Sequence, residues 1–292
     1  MSGWSTADIP DQSGRTAIVT GANSGLGAET ARALDRAGAT VILACRNTAK
    51  GEEVAAGLSD RARVVPLDLA DLAAVRTFAD GIEGADLLVN NAGVMALPLR
   101  RTADGFEMQI GTNHLGHFAL TAHLLPKISD RVVTLSSGLH QIGRLNLGDL
   151  NWHDRRYRRW QAYGDSKMAN LMFGKELADR LAAAGSSTRS LIAHPGYAAT
   201  GLQGHTDSVL DTVMKVGNAL PIAQSAQAGA LPSLYAATSP DAVNGTFYGP
   251  TGFFGMQGAP GVSGYNKRAD DRGIREGLWT TSEKLTGVTF DV

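Results

Sequence analysis

Short runs rich in β-branched residues and leucine alternate with alanine-rich helical stretches along most of the chain, beginning at Arg15. Strands separated by helices pair in parallel, and because both faces of such a sheet are covered, each strand is apolar along its length. Right-handed crossovers then place the sheet between two layers of helices. The expected strands are Thr16–Thr20, Thr40–Cys45, Arg63–Leu67, Leu87–Asn90, Arg131–Leu135, Ser190–His194 and Thr246–Tyr248, and the expected helices are Leu26–Ala37, Ala49–Gly57, Leu72–Gly81, Phe106–Leu125, Met168–Ala184 and Ser225–Ala236. The pattern predicts the α/β class, with a doubly wound parallel sheet in three layers.

No linker rich in proline, glycine and serine interrupts this alternation, and no internal repeat is evident. The 292 residues are therefore expected to form a single domain, with residues 1–14 and 251–292 as extensions at its two ends. Two segments break the rhythm, residues 138–162 and residues 200–220. Loops that follow strand ends usually build the pockets of α/β folds, so residues 200–220 are expected to form a substrate loop. The glycine-rich stretch Gly252–Gly264 is expected to loop over the sheet edge or the pocket.

Charge and cysteine content exclude several classes of protein. The 27 basic and 28 acidic residues give a formal net charge of −1, so no overall field attracts nucleic acid or an anionic membrane. The single cysteine, Cys45, excludes an intrachain disulfide and is compatible with a reducing compartment. The first twelve residues lack the features of a secretory signal, and no stretch approaches the ~20 apolar residues of a membrane span. We expect a cytoplasmic protein without membrane insertion, whose partners are small molecules or further copies of itself.

A glycine-rich segment follows the first expected strand and opens the first expected helix. Its first glycine permits a tight turn, its second lets the backbone approach a pyrophosphate, and its third lets the helix pack closely on the strand. The helix N-terminus offers free N–H groups and the positive end of its dipole to phosphates. The spacing G-x3-G-x-G departs from the commoner fingerprint, so the segment alone leaves a plain glycine-rich turn open. The candidate dinucleotide residues here are Gly21, Asn23, Ser24, Gly25, Leu26 and Gly27.

The ends of the next three strands carry further candidates for binding a dinucleotide. The second strand ends without the carboxylate that would bind the ribose 2′-hydroxyl of NAD(H), and Arg46 can instead pair with a 2′-phosphate. This favours NADP(H) over NAD(H), with a solvated loop cation as the alternative. Asp68 and Leu69 end the third strand, where a carboxylate could accept a hydrogen bond from the adenine amino group. Asn91, Ala92 and Gly93 follow the fourth strand, where small residues let the backbone approach the cofactor. Ordinary turn chemistry explains the residues at the ends of the third and fourth strands equally well.

Tyr163 and Lys167 are four residues apart at the start of an expected helix, so they share one helix face. An ammonium near the phenol would lower the phenol pKa from about 10 towards the working pH. Such a phenol can donate a proton to a carbonyl oxygen as hydride arrives, or remove it in the reverse direction. Seen alone, the pair is more often an ordinary surface pair.

Taken in order, these motifs closely resemble the short-chain dehydrogenase/reductase family over residues 15–250. The features that carry the resemblance are the Thr20–Gly27 loop, Asn90–Gly93, Asn113, Ser136 with Ser137, Tyr163 with Lys167, and Pro195 with Gly196. The resemblance implies a single-domain Rossmann-type fold. It also implies an NADP(H)-dependent oxidoreductase that moves a hydride between nicotinamide and a carbonyl or alcohol.

The resemblance also assigns roles by position. Tyr163 matches the acid/base, and Ser137 matches the serine that holds the substrate oxygen beside the phenol. Asn113 matches an asparagine that anchors a water near Lys167, and Lys167 would also bind the nicotinamide ribose. Pro195, Gly196 and Thr200 match a segment that packs against the carboxamide side of nicotinamide.

The stretches Leu43–Arg46 and Asn113–Phe118, with the extended stretch between Ser137 and Tyr163, are similar to the retinol dehydrogenase and protochlorophyllide reductase-like branch of the family. That similarity implies NADP(H) and a large apolar substrate, such as retinal or another aldehyde or ketone. His114 and His117 have helical facing spacing, yet no third ligand is placed to close a metal site, so no metal is expected.

Two other functions remain open at the level of sequence. One is an NADPH-binding regulatory module without turnover, although such a module would not need Ser137, Tyr163 and Lys167 together. The other is a 3-oxoacyl thioester reductase, whose acyl-carrier partner should prefer a basic rim. In the expected substrate loop, residues 200–220, Lys215 is the only basic side chain apart from His205.

Overall fold

The computed structural model describes residues 3–196, 224–252 and 255–291. Eight strands form one sheet in the order β3-β2-β1-β4-β5-β6-β7-β8. The strands are β1 (Thr16–Thr20), β2 (Thr40–Cys45), β3 (Arg63–Pro66), β4 (Ala85–Asn90), β5 (Ile128–Leu135), β6 (Arg189–Ala193), β7 (Phe247–Pro250) and β8 (Pro260–Val262). The first seven pair in parallel, and β8 pairs antiparallel to β7.

Helices cover both faces of this sheet. They are α1 (Gly25–Arg36), α2 (Thr48–Ala55), α3 (Leu72–Asp80), α4 (Met108–Ile110), α5 (Gly116–Leu124), α6 (Arg159–Ala183), α7 (Ala226–Thr238) and α8 (Arg272–Thr286), with a π-helical segment at Gly111–Leu115 between α4 and α5. The predicted α/β fold, a Rossmann-type doubly wound sheet in three layers, is therefore confirmed.

Two apolar cores lie on the two sides of the sheet because alternate strand residues point to opposite faces. In β1, Ala17 and Val19 pack in the core that includes residues of α1, α2 and α7, whereas Ile18 packs in the core that includes residues of α3, α5 and α6. All three side chains are fully buried. Removing a side chain such as Ile18 from water contributes roughly 1.5–3 kcal/mol.

The strand order reverses at β1. The chain runs outward from β1 to β2 and β3, then returns to place β4 on the other side of β1. In open α/β sheets such a reversal leaves a crevice outside the carboxyl ends of the two central strands. The loops after β1 and β4 flank this crevice.

The expected single helix Phe106–Leu125 is divided in the structure. Glu107 caps α4 by accepting a hydrogen bond from the backbone N–H of Ile110, and the π-helical segment then intervenes before α5. Gly111 and Gly116 bound this segment, and a Cβ on Gly116 would collide with the carbonyl oxygen of Leu69. Glycine at position 116 therefore allows the start of α5 to lie against the neighbouring loop at Leu69.

The C-terminal region differs most from expectation. Within the stretch predicted as a loop over the sheet edge, Pro260–Val262 instead extends the sheet as β8. Helix α8 was not predicted, although Asp271 caps it through the N–H of Ile274 and Gly287 ends it in the left-handed region. Helix α6, expected from Met168, begins nine residues earlier. Among the described helices, none has the length and apolar character needed to span a bilayer.

Candidate active site

Two adjoining cavities open at the carboxyl end of the sheet. The larger, of about 240 Å³, is lined by all the candidate residues from the first four strand ends, namely Gly21, Asn23, Ser24, Gly25, Leu26, Gly27, Arg46, Asp68, Leu69, Asn91, Ala92 and Gly93. The smaller, of about 40 Å³, is lined by Ser137, Tyr163, Lys167 and Pro195, and it shares Leu26, Asn91 and Gly93 with the larger one. The fold thus brings the two predicted sets of residues into one continuous cleft.

The glycine loop has the shape that a pyrophosphate requires. Gly21 and Gly25 have φ values of +67° and +52°, a region where other side chains are strained. A Cβ on Gly27 would collide with the carbonyl oxygen of Gly21. The side chain of Ser24 makes no capping hydrogen bond to α1, so it does not occupy the N–H groups of the first turn. These residues fit the phosphates of a dinucleotide.

Thr20, the last residue of β1, ties the glycine loop to the loop after β4. Its hydroxyl oxygen accepts hydrogen bonds from the N–H groups of Asn91 and Ala92, each at 2.9 Å. The side-chain amide of Asn91 donates back to the carbonyl of Thr20 at 2.7 Å. Sequence reasoning missed this role of Thr20, whose only local signal is a hydroxyl at the end of a buried strand.

Arg46 lies at the rim of the larger cavity, where its side chain is 73% exposed. One of its terminal nitrogens is 3.9 Å from a carboxylate oxygen of Asp68. An exposed pair at this distance contributes little to stability, so the guanidinium is free to reorient towards a phosphate. The Asp68 carboxylate also accepts a hydrogen bond from the backbone N–H of Ala70.

Tyr163 and Lys167 lie within α6 on the face that lines the smaller cavity. The ammonium nitrogen is 5.8 Å from the centre of the Tyr163 ring and donates to the carbonyl of Leu135 at 3.3 Å. Burial raises the pKa of Tyr163 to about 12, and a hydrogen bond with Ser137 opposes that shift. Burial also lowers the pKa of Lys167 to about 8.

The expectation that the ammonium lowers the phenol pKa is therefore wrong for this structure. Helix spacing predicts that the two side chains are neighbours, but burial of the phenol dominates its pKa, and the effect that opposes burial comes from Ser137. As a consequence, Tyr163 is fully protonated at neutral pH and is ready to donate a proton.

Asn113 lies in the π-helical segment and is completely buried. Its amide donates to the carbonyl of Val94 and to the hydroxyl of Ser166, and its side-chain oxygen accepts from the N–H of Val94, all at 2.8–2.9 Å. A Cβ on Gly93 would lie 3.2 Å from the Asn113 side-chain oxygen and 3.4 Å from the Lys167 nitrogen. Asn113 therefore holds the loop after β4 against α6, beside Lys167.

A second buried network supports the same loop. The side-chain oxygen of Gln109 accepts from the N–H of Ala96 at 2.7 Å, and its amide donates to the hydroxyl of Tyr157 at 2.8 Å. Tyr157 donates in turn to Glu107, and burial raises the pKa of that carboxyl. Ala96 and Met95 pack directly against Tyr163. The network joins residues about 50 positions apart, which local sequence patterns do not indicate.

The candidate residues after β6 are partly described. Pro195 lines the smaller cavity, and Gly196 has a φ of +67°, where a Cβ would collide with the carbonyl of Met256. Thr200 and the expected substrate loop, residues 200–220, lie outside the described residues.

The C-terminal region contacts residues that adjoin the cleft. A ring nitrogen of His194 lies 2.9 Å from the hydroxyl of Ser263, and His140 accepts from the N–H of Asn266. His140 also donates through its other ring nitrogen to the carbonyl of Ser137.

His114 and His117, whose spacing on one helix face would suit two metal ligands, are buried structural side chains. His114 bonds to the hydroxyl of Ser282 in α8, and His117 lies between Thr20 and Asn113. Among the residues that the structure describes, no three His, Cys, Asp or Glu side chains gather around one point.

Comparisons with known proteins agree with this architecture. The short chain dehydrogenase family matches residues 15–210. Retinol dehydrogenase 13 of Mus musculus is 40% identical over 98% of this chain and 87% of its own length. Polyprenol dehydrogenase of Mus musculus is 38% identical over 96% of this chain and 86% of its own length.

Solved structures with the same fold include an uncharacterised protein from Mycobacterium paratuberculosis. It is 51% identical, with a TM-score of 0.87 and full coverage of both chains. A short chain dehydrogenase from Burkholderia cenocepacia in complex with NADP is 24% identical, with a TM-score of 0.65 over 81% of this chain and 96% of the other. The second likeness concerns the fold alone.

Proposed function

The chain belongs to the short-chain dehydrogenase family, and on that premise we propose that it is an NADP(H)-dependent oxidoreductase acting on the carbonyl or alcohol group of an apolar substrate. The observation that carries this proposal is the convergence of Ser137, Tyr163 and Lys167 on one cavity that adjoins the dinucleotide-shaped cleft. The proposal includes a single domain built on the one sheet. It also includes a cytoplasmic location, supported by the buried free thiol of Cys45.

The cofactor would supply the hydride when bound. The glycine loop would hold its pyrophosphate, Arg46 its 2′-phosphate, and Asp68 with Leu69 its adenine. The residues proposed for the nicotinamide end are Asn91, Ala92, Gly93, Tyr163, Lys167, Pro195, Gly196 and Thr200.

This chain's own residues then provide the proton chemistry. Tyr163 donates its phenolic proton to the substrate oxygen as negative charge develops there. Ser137 holds that oxygen with a hydrogen bond as negative charge develops on it. The Lys167 ammonium stabilises the phenolate that remains, and Asn113 keeps the adjoining loop beside Lys167.

An apolar substrate is supported by the side chains around the phenol. Met95 and Ala96 pack against Tyr163, and Leu139 and Trp160 border the same cluster. Two of the curated relatives, retinol dehydrogenase 13 and polyprenol dehydrogenase, are named for long apolar alcohols.

The direct test is NADPH oxidation by the purified protein with a panel of aldehydes and ketones that includes long polyene and aliphatic compounds. Turnover of apolar carbonyls with NADPH supports the proposal. Tight NADPH binding without turnover of any compound would instead favour a regulatory module, and selective turnover of 3-oxoacyl thioesters would favour a reductase of lipid synthesis.

Removal of the Arg46 guanidinium should reduce the preference for NADPH over NADH. A hydrogen bond to a charged group contributes about 1.5–3 kcal/mol, so Arg46→Ala is expected to lower the ratio of kcat/KM values for the two cofactors about 10- to 150-fold. Arg76→Ala is a matched control, since that side chain is 74% exposed on α3. If Arg46→Ala changes this ratio no more than Arg76→Ala does, the proposed contact with the 2′-phosphate is contradicted.

Carbonyl reduction should slow as the pH rises through about 8. The pKa of Lys167 is about 8, so its ammonium is charged and stabilises the phenolate below that pH, and it loses this charge above that pH. The pKa of Tyr163 is about 12, so the phenol keeps its proton from pH 6 to pH 10. The measurement is kcat/KM for an aldehyde with NADPH between pH 6 and 10. Lys167→Arg keeps its charge over this range, so its residual rate should not fall near pH 8. A wild-type profile that is flat or rising across pH 8 would contradict this assignment.

A further inference from the structure

His117 lies between the dinucleotide cleft and the catalytic helix. It is the second residue of α5, and its side chain is 1% exposed. One ring nitrogen, Nε2, is 2.9 Å from the hydroxyl of Thr20, and the other, Nδ1, is 3.0 Å from the main-chain carbonyl of Asn113. The imidazole therefore touches both the end of β1 and the π-helical segment. Segments of this kind are frequent at functional sites.

The hydrogen bonds define which ring nitrogen carries the proton. The carbonyl of Asn113 can only accept, so Nδ1 donates to it. The hydroxyl oxygen of Thr20 already accepts two backbone N–H groups, and its own hydrogen is directed to an acceptor. Nε2 of His117 is that acceptor, since it lies closer than the alternative, the carbonyl of Val89 at 3.4 Å. The ring is neutral, and burial lowers its pKa to about 4.

Each end of this bridge reaches residues that line the cleft. Through Thr20 it reaches the N–H groups of Asn91 and Ala92, which line the larger cavity. Through Asn113 it reaches Val94 and Ser166. Ser166 in turn donates to the carbonyl of Tyr163.

We propose that His117 is a positioning residue that aligns the dinucleotide cleft with the catalytic helix, by fixing Thr20 at one end of its ring and Asn113 at the other. This role rests on the proposed function, because it concerns the alignment of a bound dinucleotide with Tyr163 and Lys167. Its physical basis is that one rigid ring satisfies a donor and an acceptor on two separate elements, and so fixes their spacing.

Two substitutions separate the two ends of the bridge. In His117→Asn the side-chain amide takes the place of Nδ1 and keeps the bond to Asn113, but is too short to reach Thr20. In His117→Gln the side-chain oxygen takes the place of Nε2 and keeps the bond to Thr20, but the bond to Asn113 is lost. His114→Asn is the control, since His114 is equally buried and its partner Ser282 lies on α8.

The first readout is amide hydrogen exchange measured by NMR on the full chain without added cofactor. His117→Asn should accelerate exchange at Asn91 and Ala92 and leave Val94 unchanged. His117→Gln should accelerate exchange at Val94 and leave Asn91 and Ala92 unchanged.

The second readout is function. The Asn variant should weaken NADPH binding about 3- to 10-fold with little change in kcat. The Gln variant should lower kcat about 3- to 10-fold with little change in the NADPH Kd.

The proposal would be overturned if the two variants showed the same changes in exchange and kinetics. It would also be overturned if their changes were no larger than those of His114→Asn. In either case His117 would act only as a packed core residue. Measurement of the wild-type protein in the same assays distinguishes a failure of the His117 proposal from a failure of the proposed function. Wild type without NADPH turnover would refute that function, while the exchange pattern would still decide whether His117 links the two elements.

Discussion

Replacing Tyr163 with phenylalanine is expected to lower the rate of NADPH-dependent carbonyl reduction about 10²- to 10⁴-fold, the range that a positioned general acid contributes. The ring keeps its packing against Met95 and Ala96, so the change removes the proton donor and little else. The dissociation constant for NADPH should rise by no more than about 10-fold, since a single hydrogen bond contributes about 0.5–1.5 kcal/mol net.

Steady-state kinetics and NADPH fluorescence titration measure the two quantities for Tyr163→Phe. Tyr248→Phe makes the same chemical change at another buried tyrosine, on β7, whose hydroxyl accepts a hydrogen bond from the N–H of Val243. That control should retain near wild-type kinetics. If Tyr163→Phe keeps more than a tenth of the wild-type rate, another group must supply the proton.

The second large effect is expected in stability. Phe118 is fully buried where α5 and α6 meet the C-terminal region, with ring centres 5.5 Å from Phe173, 5.2 Å from Trp279 and 4.9 Å from Phe290. Phe118→Ala is expected to lower the free energy of unfolding by about 3–5 kcal/mol, because a large cavity replaces the ring and its aromatic contacts are lost.

Equilibrium denaturation with urea measures the change for Phe118→Ala. Leu99→Ala removes a side chain that is 45% exposed, and it should alter the free energy of unfolding by no more than about 0.5 kcal/mol. A loss below about 1 kcal/mol in Phe118→Ala would mean that the C-terminal region does not pack on α5 as the structure has it.

Local patterns were enough to predict much of the fold and the cleft. The glycine loop and the pair Tyr163 and Lys167 are recognisable because the spacing within one segment determines which side chains share a face. The roles of Thr20 and His117 could not be predicted, because these two residues are 97 positions apart and meet only once the sheet and α5 have assembled. Sequence spacing also missed the direction of the Tyr163 pKa shift, since burial depends on everything packed around the phenol.

Two elements near the C-terminal end illustrate different causes of error. Strand β8 has three residues, and pairing with β7, rather than its own composition, determines that it is a strand. Helix α8 carried a readable signal, with Asp271 at its start and Gly287 at its end.

The contacts of the C-terminal region also set the order in which the protein can be assembled during synthesis. Ser263, Asn266 and Ser282 reach back to His194, His140 and His114, and they leave the ribosome after every residue of the cleft that they support. Until then Phe118 has neither Trp279 nor Phe290 to cover it, and the nascent chain exposes an apolar surface of the kind that chaperones bind. A chain interrupted after residue 262 would carry every proposed catalytic side chain and still lack the contacts that close the fold around them.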